Sequence, residues 1–408
     1  MPFGAMKHGF TFQADDGGGV VTVPTTAAYS LSNLTFNARS YQMPKISYAG
    51  DDSSGQPVFF VGTRSSGGDF ICSLIRRNND NTISESSVTT LKSNQERFEA
   101  QGVAGFDTSG NPVGVTTGTY RFGGTIYQDI YCNQIDLDNL TLGTTYSDTD
   151  WTNLGPSAGF AYTTYAGNGR FVVGYRNAGI RTAVAVIGTS SVTSTSSEDQ
   201  HSTNIGDGVY QGIHSFPYQN DTDYKYAYHN GNGNQQGVAY YAGATTQGED
   251  SDDVITTGLT GTLAIPVNNT SYITVATKTG TAKATGATVS WPASGAPTQT
   301  VSSEFTFADS STWNGSFCGT ADTANSTAYI LHDDSTNGWK IIPLTLSGTA
   351  ITEGTDIAIE SEVTTSNWST GSESMAACFA DSTQGDLFVA LIDDTSSNNP
   401  QILIRDVG

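Results

Sequence analysis

The 39 Asp and Glu residues of this 408-residue chain are the first candidates for chemistry. Two carboxyl groups flanking a scissile bond make a glycoside hydrolase. Carboxylates grouped with hydroxyl and carbonyl oxygens make a calcium loop. The acids concentrate where turns are expected: at Asp51 and Asp52, in the run Glu249 to Asp253, and at Asp393 with Asp394. With so many acids, accidental pairs are certain, and no pair stands out. Asp51-Asp-Ser-Ser-Gly55 and Asp107-Thr-Ser-Gly110 have calcium-loop composition, but the same residues build ordinary hairpin turns. The turn reading is preferred.

Other site chemistries meet similar obstacles. His8, His201, His214, His229 and His332 form no metal-ligand spacing, although His214 and His229 fall in different strands of one repeat. Gly155-Pro-Ser157-Ala-Gly159 matches a nucleophile elbow in letters only, because a strand rather than a helix is expected after it. Gly17-Gly-Gly and Gly123-Gly lack the following helix a phosphate loop requires. A sialidase would need an arginine triad and Ser-x-Asp-x-Gly-x-Thr-Trp boxes. Asp309-Ser-Ser-Thr-Trp313 and Asp333-Asp-Ser-Thr-Asn-Gly-Trp339 miss that order or spacing. Cys72 and Cys132 lie 60 residues apart, as do Cys318 and Cys378, which suggests equivalent places in neighbouring repeats and buried free thiols. No catalytic, cofactor-binding or metal-ligating residue is assigned, no cofactor is expected, and the chain reads as non-enzymatic.

The elements behind these residues repeat. A short apolar strand, a small polar turn and a second aromatic or β-branched strand recur, first as Ile46 to Gly50 and Val58 to Val61. Second strands begin at Val58, Val113, Phe171, Tyr224, Tyr272, Ala328 and Leu387, in steps of 48 to 59 residues. That period suits four-stranded propeller blades. The expected fold is all-β: a single seven-bladed β-propeller over residues 18–408, with four-stranded antiparallel blades starting near 46, 102, 159, 212, 263, 317 and 375. The last repeat is one strand short and the N-terminal region has a surplus, so residues 18–40 are expected to complete the final blade. Residues 1–17 are expected to form an N-terminal arm. Tyr41, Phe98, Trp151, Trp313 and Trp368 precede first strands and read as wedges between blades, with a carbohydrate-stacking surface as the alternative.

Composition agrees with many short strands. Apolar residues are only 36%, yet 5 Trp, 19 Tyr and 18 Phe argue against disorder. A net charge of −22 repels nucleic acid and anionic membranes, so neither is an expected partner. No run approaches the ~20 apolar residues of a membrane helix, and Met1 to Asp16 has no apolar core of a signal peptide.

The repeat style, with Gly169-Arg-Phe-Val-Val-Gly-Tyr-Arg176 as its clearest instance, resembles Thr/Ser/Gly/Asn-rich propellers in virions of tailed, particularly marine, bacteriophages. The likeness rests on repeat style and composition over most of the chain. It implies a structural part of a tail fibre, nozzle or appendage, assembled in the host cytoplasm, and it brings no catalytic residues. The implied partners are other virion proteins, met through residues 1–17, and a host-surface glycan or receptor. A carbohydrate-binding lectin or glycoside-active propeller enzyme is the competing reading.

Overall fold

A computed structural model describes residues 29–34, 44–65, 67–93, 100–122, 125–155, 159–176, 180–200, 213–216, 223–230, 235–242, 245–253, 259–278, 281–292, 296–308, 313–334, 338–359, 375–392 and 400–408. Every regular element among them is a β-strand, and all the sheets are antiparallel. Strand β1 (Tyr29–Ser30) is followed by β2 (Lys45–Asp51), β3 (Pro57–Arg64) and β4 (Phe70–Arg77), with β5 (Ile83–Glu85) and β6 (Thr89–Lys92) sharing the outer edge of β4. Next come β7 (Ala100–Phe106), β8 (Pro112–Phe122), β9 (Thr125–Asp136) and β10 (Thr141–Gly155). These two groups touch through one ladder pair, Gly62 opposite Gly102, and so join into a nine-stranded sheet.

Two four-stranded sheets follow: β11 (Gly159–Gly167), β12 (Arg170–Arg176), β13 (Ile180–Gly188) and β14 (Ser191–Gln200), then β15 (Ile213–Ser215), β16 (Asp223–Asn230), β17 (Gln235–Ala242) and β18 (Thr245–Asp253). The next sheet has β19 (Leu259–Asn268), β20 (Ser271–Lys278) and β21 (Thr281–Ser290), with β22 (Thr298–Val301) and β23 (Phe305–Thr306) along the outer edge. Its neighbour is built alike from β24 (Trp313–Asp322), β25 (Thr327–Asp334), β26 (Gly338–Ser347), β27 (Ala350–Glu353) and β28 (Ile357–Ala358). The last sheet contains β29 (Met375–Ser382), β30 (Gly385–Ile392) and β31 (Gln401–Asp406).

The arrangement is propeller-like. First strands neighbour one another in a closed cycle, β2 beside β7, β7 beside β11, then β15, β19, β24 and β29, which returns to β2. Each central strand is covered on both faces, because its alternate side chains enter two different layers. In β3, Phe59 and Val61 pack towards β29–β31, while Val58 and Phe60 pack towards β7–β10. This explains the nearly unbroken apolar run Pro-Val-Phe-Phe-Val, which alternation alone would read as one-sided. Outer strands differ: β22 and β27 alternate exposed and half-buried residues, as an edge facing water requires.

The chain's beginning completes its end. Tyr29 pairs with Ile402 and Ser30 with Gln401, so β1 becomes the outer strand of the β29–β31 sheet. The Leu31 amide donates to the Pro400 carbonyl at 2.9 Å, and Leu31 and Leu34 are buried against Leu391, Ile402 and Ile404. Of residues 18–40, those described as strand are thus the ones that close the ring. Residues 1–17, Tyr41, Phe98 and Trp368 lie outside the described residues.

One local expectation is corrected. The acidic run Glu249 to Asp253 is not a turn but the second half of strand β18, paired along Gln235 to Ala239. The run lies on the last strand of its sheet.

Candidate functional site

The turn carboxylates are occupied by their own backbone. The Asp107 Oδ1 accepts from the amides of Ser109 at 2.7 Å and Asn111 at 2.9 Å, and its Oδ2 accepts from Asn111 Nδ2 at 2.9 Å. Burial opposes ionisation of Asp107, but these bonds and one from Gly110 outweigh it and hold its carboxyl below the ordinary range. Asp52 repeats the pattern, accepting from the Ser54 and Gln56 amides and from Arg76 at 3.2 Å. Asp322 does the same with Ala324 and Asn325. These are turn braces, placed where strands one and two of a sheet meet. Asp51 instead clasps the ring, accepting from the Thr383 amide and hydroxyl, both at 2.6 Å.

Other candidates disperse. Each cysteine pair occupies equivalent strands: Cys72 on β4 and Cys132 on β9 lie on the third strands of the two groups joined in the nine-stranded sheet, and Cys318 on β24 and Cys378 on β29 lie on the first strands of adjacent sheets. All four thiols are free and buried. Burial raises the thiol pKa of Cys72 and of Cys132 to about 12, and raises Cys318 and Cys378 further. They behave as small apolar side chains. His332 is fully buried on β25, while His8 and His201 lie outside the described residues. His214 on β15 stands opposite Ala227, a diagonal step from His229 on β16. Trp339, the end of one Asp-rich box, is a core residue at 1% exposure. Gly155 ends β10 and Gly159 begins β11, so the Gly-x-Ser-x-Gly letters join two strands.

Among the described residues no group of three or more His, Cys, Asp or Glu side chains is placed to hold a metal. The buried carboxylate of Asp129 accepts from Tyr131 Oη at 2.6 Å and pairs with Lys92, whose ammonium sits 3.3 Å from the centre of the Tyr120 ring. These contacts on the Asp129 Oδ2 brace β6 against β9. Lys45 donates to the Thr163 carbonyl, and burial lowers its pKa to about 8.

What remains is a groove between neighbouring sheets. It has a volume of about 590 Å³ and is lined by Lys225 of β16, Thr270 of the β19–β20 turn, Thr288, Val289 and Ser290 of β21, Trp291, and Thr298 and Thr300 of β22. This falls within the size range of small-ligand sites. Trp291 is held in place. Its Nε1 donates to the Asn269 carbonyl at 3.1 Å, and its ring meets Phe216 edge-on at 5.1 Å. The Val289 amide donates to the Thr270 carbonyl at 2.7 Å, tying the same strand to the same turn. Lys225 Nζ lies 5.2 Å from the centre of the Trp291 ring. The groove was not anticipated from the sequence. Its one local signal is Ser290-Trp-Pro292 ending an alternating run, and nothing in that signal points to Lys225.

No family model and no curated protein matches the chain. Solved structures with a similar course do. A mutant of the NanB sialidase from Streptococcus pneumoniae is 11% identical at a TM-score of 0.46, covering 92% of this chain and 70% of its own. A mutant of AofleA from Arthrobotrys oligospora is 11% identical at 0.43, covering 80% and 94%. A mutant of Aleuria aurantia lectin in complex with α-methyl-L-fucoside is 9% identical at 0.44, covering 78% and 96%. No residue of this chain takes a role from them.

Proposed function

We propose that the protein is a non-enzymatic, seven-bladed propeller that serves as a rigid structural module of a tailed-bacteriophage virion, docking to other virion proteins and to the host surface. The observation that carries this reading is the closure of the ring by β1 on β31. A ring whose first and last described strands share one sheet resists being pulled open, and its rim carries outer strands such as β22 and β27 that alternate exposed and half-buried residues. The seven-bladed reading is supported by the seven first strands of the cycle and by dividing the nine-stranded sheet at its single Gly62–Gly102 pair into β2–β6, where β5 and β6 share one edge, and β7–β10. Docking through residues 1–17 belongs to the same proposal.

Mass spectrometry and imaging of purified particles test it. The chain is expected at a fixed copy number at one place on the particle, and a chain lacking residues 1–17 is expected to fold but not to be incorporated. Absence from purified particles would overturn the virion role, and turnover of any polysaccharide would overturn the non-enzymatic one. The second reading, a carbohydrate-binding or glycoside-active propeller, is favoured by the Trp291 groove.

A further inference from the structure

We infer that the groove at Trp291 is a binding site for a neutral saccharide. The inference goes beyond the virion role and does not depend on it. Thr288 pairs with Thr300 and Ser290 with Thr298 across the β21–β22 ladder, so four hydroxyl-bearing residues form a two-by-two patch on one sheet face. Directly opposed residues in such a ladder have their Cβ atoms about 5 Å apart, and residues two apart along a strand are about 7 Å apart. A patch of that size is about as wide as one sugar ring, so its hydroxyl-bearing side chains can meet more than one hydroxyl group of the same ring. Ser290, Thr298 and Thr300 are exposed and Thr288 is half-buried, while Val289 between Thr288 and Ser290 is buried, and all four hydroxyl-bearing residues line the groove.

The aromatic wall completes the site. Trp291 is half-buried and its orientation is fixed by Asn269 and Phe216 before any ligand arrives, which reduces the ordering cost of binding. An indole ring beside hydroxyl groups suits a ligand with one apolar C–H face and several hydroxyl groups. Charge selects the neutral class. Among the described residues Lys225 is the only charged one in the lining, and its ammonium already lies over Trp291. The chain as a whole carries −22, a field that repels an acidic polysaccharide before it reaches one lysine.

The test uses the full chain. Neutral oligosaccharides and uronate-bearing ones are screened on an array, and those retained are titrated by calorimetry and tryptophan fluorescence. Retention of a neutral saccharide at one site per chain is expected. Thr300→Arg, a change at an exposed edge position that fills the groove, is expected to weaken binding about tenfold or more with an unchanged unfolding midpoint. Trp291→Ala is expected to lose binding too, and because Trp291 also packs on Phe216, the Thr300→Arg result decides where the two differ. No neutral saccharide retained at millimolar concentration, retention of acidic sugars alone, or undiminished binding by Thr300→Arg would each overturn the inference. None of these results bears on the presence of the chain in a particle.

Discussion

Substituting Gly62 by alanine tests the packing on which the ring depends. A Cβ built on Gly62 lies 2.4 Å from the Gly102 Cα, 2.6 Å from Thr116 Oγ1 and 2.8 Å from the Gly102 amide nitrogen. Carbon atoms rest at roughly 3.5–4.0 Å, so β3 and β7 must separate by about 1 Å or more. Two of these three contacts are with the Gly102 backbone, which no side-chain rotation relieves. Separation is transmitted to Phe60 and Phe70, which are fully buried and whose rings pack against Gly114 and Gly118. A gap of 0.5–1 Å forfeits about a quarter to a half of the dispersion energy of the atoms that face it. Overpacking alone costs about 1–3 kcal/mol. With the loosened rings added, Gly62→Ala is expected to destabilise by about 3 kcal/mol or more. Two companions bracket it. Gly118→Ala meets the Phe70 ring at 2.3 Å, a side chain that can yield, so about 1–3 kcal/mol is expected. Gly143→Ala meets nothing nearer than the Gln134 Cβ at 3.5 Å and needs no left-handed backbone, so it is expected to stabilise by about 0.4–1 kcal/mol through the unfolded chain. Urea unfolding followed by fluorescence and circular dichroism gives the three midpoints. If Gly62→Ala fell within about 0.5 kcal/mol of the parent, or Gly143→Ala were as damaging, the close-approach argument would be wrong.

Ring closure predicts that Leu31→Ala costs about 2–5 kcal/mol, because Leu31 is fully buried between β31 and its neighbours; a shift in urea midpoint worth less than 1 kcal/mol would count against closure as a stabilising feature. The Asp107 brace predicts a pH dependence. Because its folded pKa lies below the unfolded value, its contribution is present above the unfolded pKa and lost as pH falls through the folded one. Asp107→Asn is therefore expected to lower stability at pH 7 by about 1–3 kcal/mol and to narrow the gap towards acid, and a pH-independent difference would refute the ionised brace. The buried thiols, with Cys72 and Cys132 pushed up to about 12, are expected to resist a disulfide reagent at pH 8 in the native protein and to react, all four, in denaturant; rapid native labelling would show that these positions open to solvent.

How much was legible before folding depended on whether the signal was local. The second strands are marked by compact runs such as Val58 to Val61, Phe171 to Val173 and Leu387 to Ile392, because a strand covered on both faces must be apolar at consecutive positions. The turns are marked by Asp52 and Asp107, whose side chains bond to amides two and four residues ahead. The short outer strands β22, β23, β27 and β28 carry no such mark, and the acidic β18 looks like a turn, because an edge strand is specified by its neighbour's open hydrogen bonds and not by its own composition.

The sequence by itself determined the all-β class, the repeat and the need for a strand from the N-terminal region, since those follow from composition and spacing along the chain. Only the tertiary structure decided which surface is a groove. It placed Trp339 in the core and Trp291 at a wall, and it brought Lys225 of one sheet over the Trp291 ring of the next. Two tryptophans look alike in a sequence. Which of them faces water is set by the packing of one sheet on another, a contact between residues far apart in the chain.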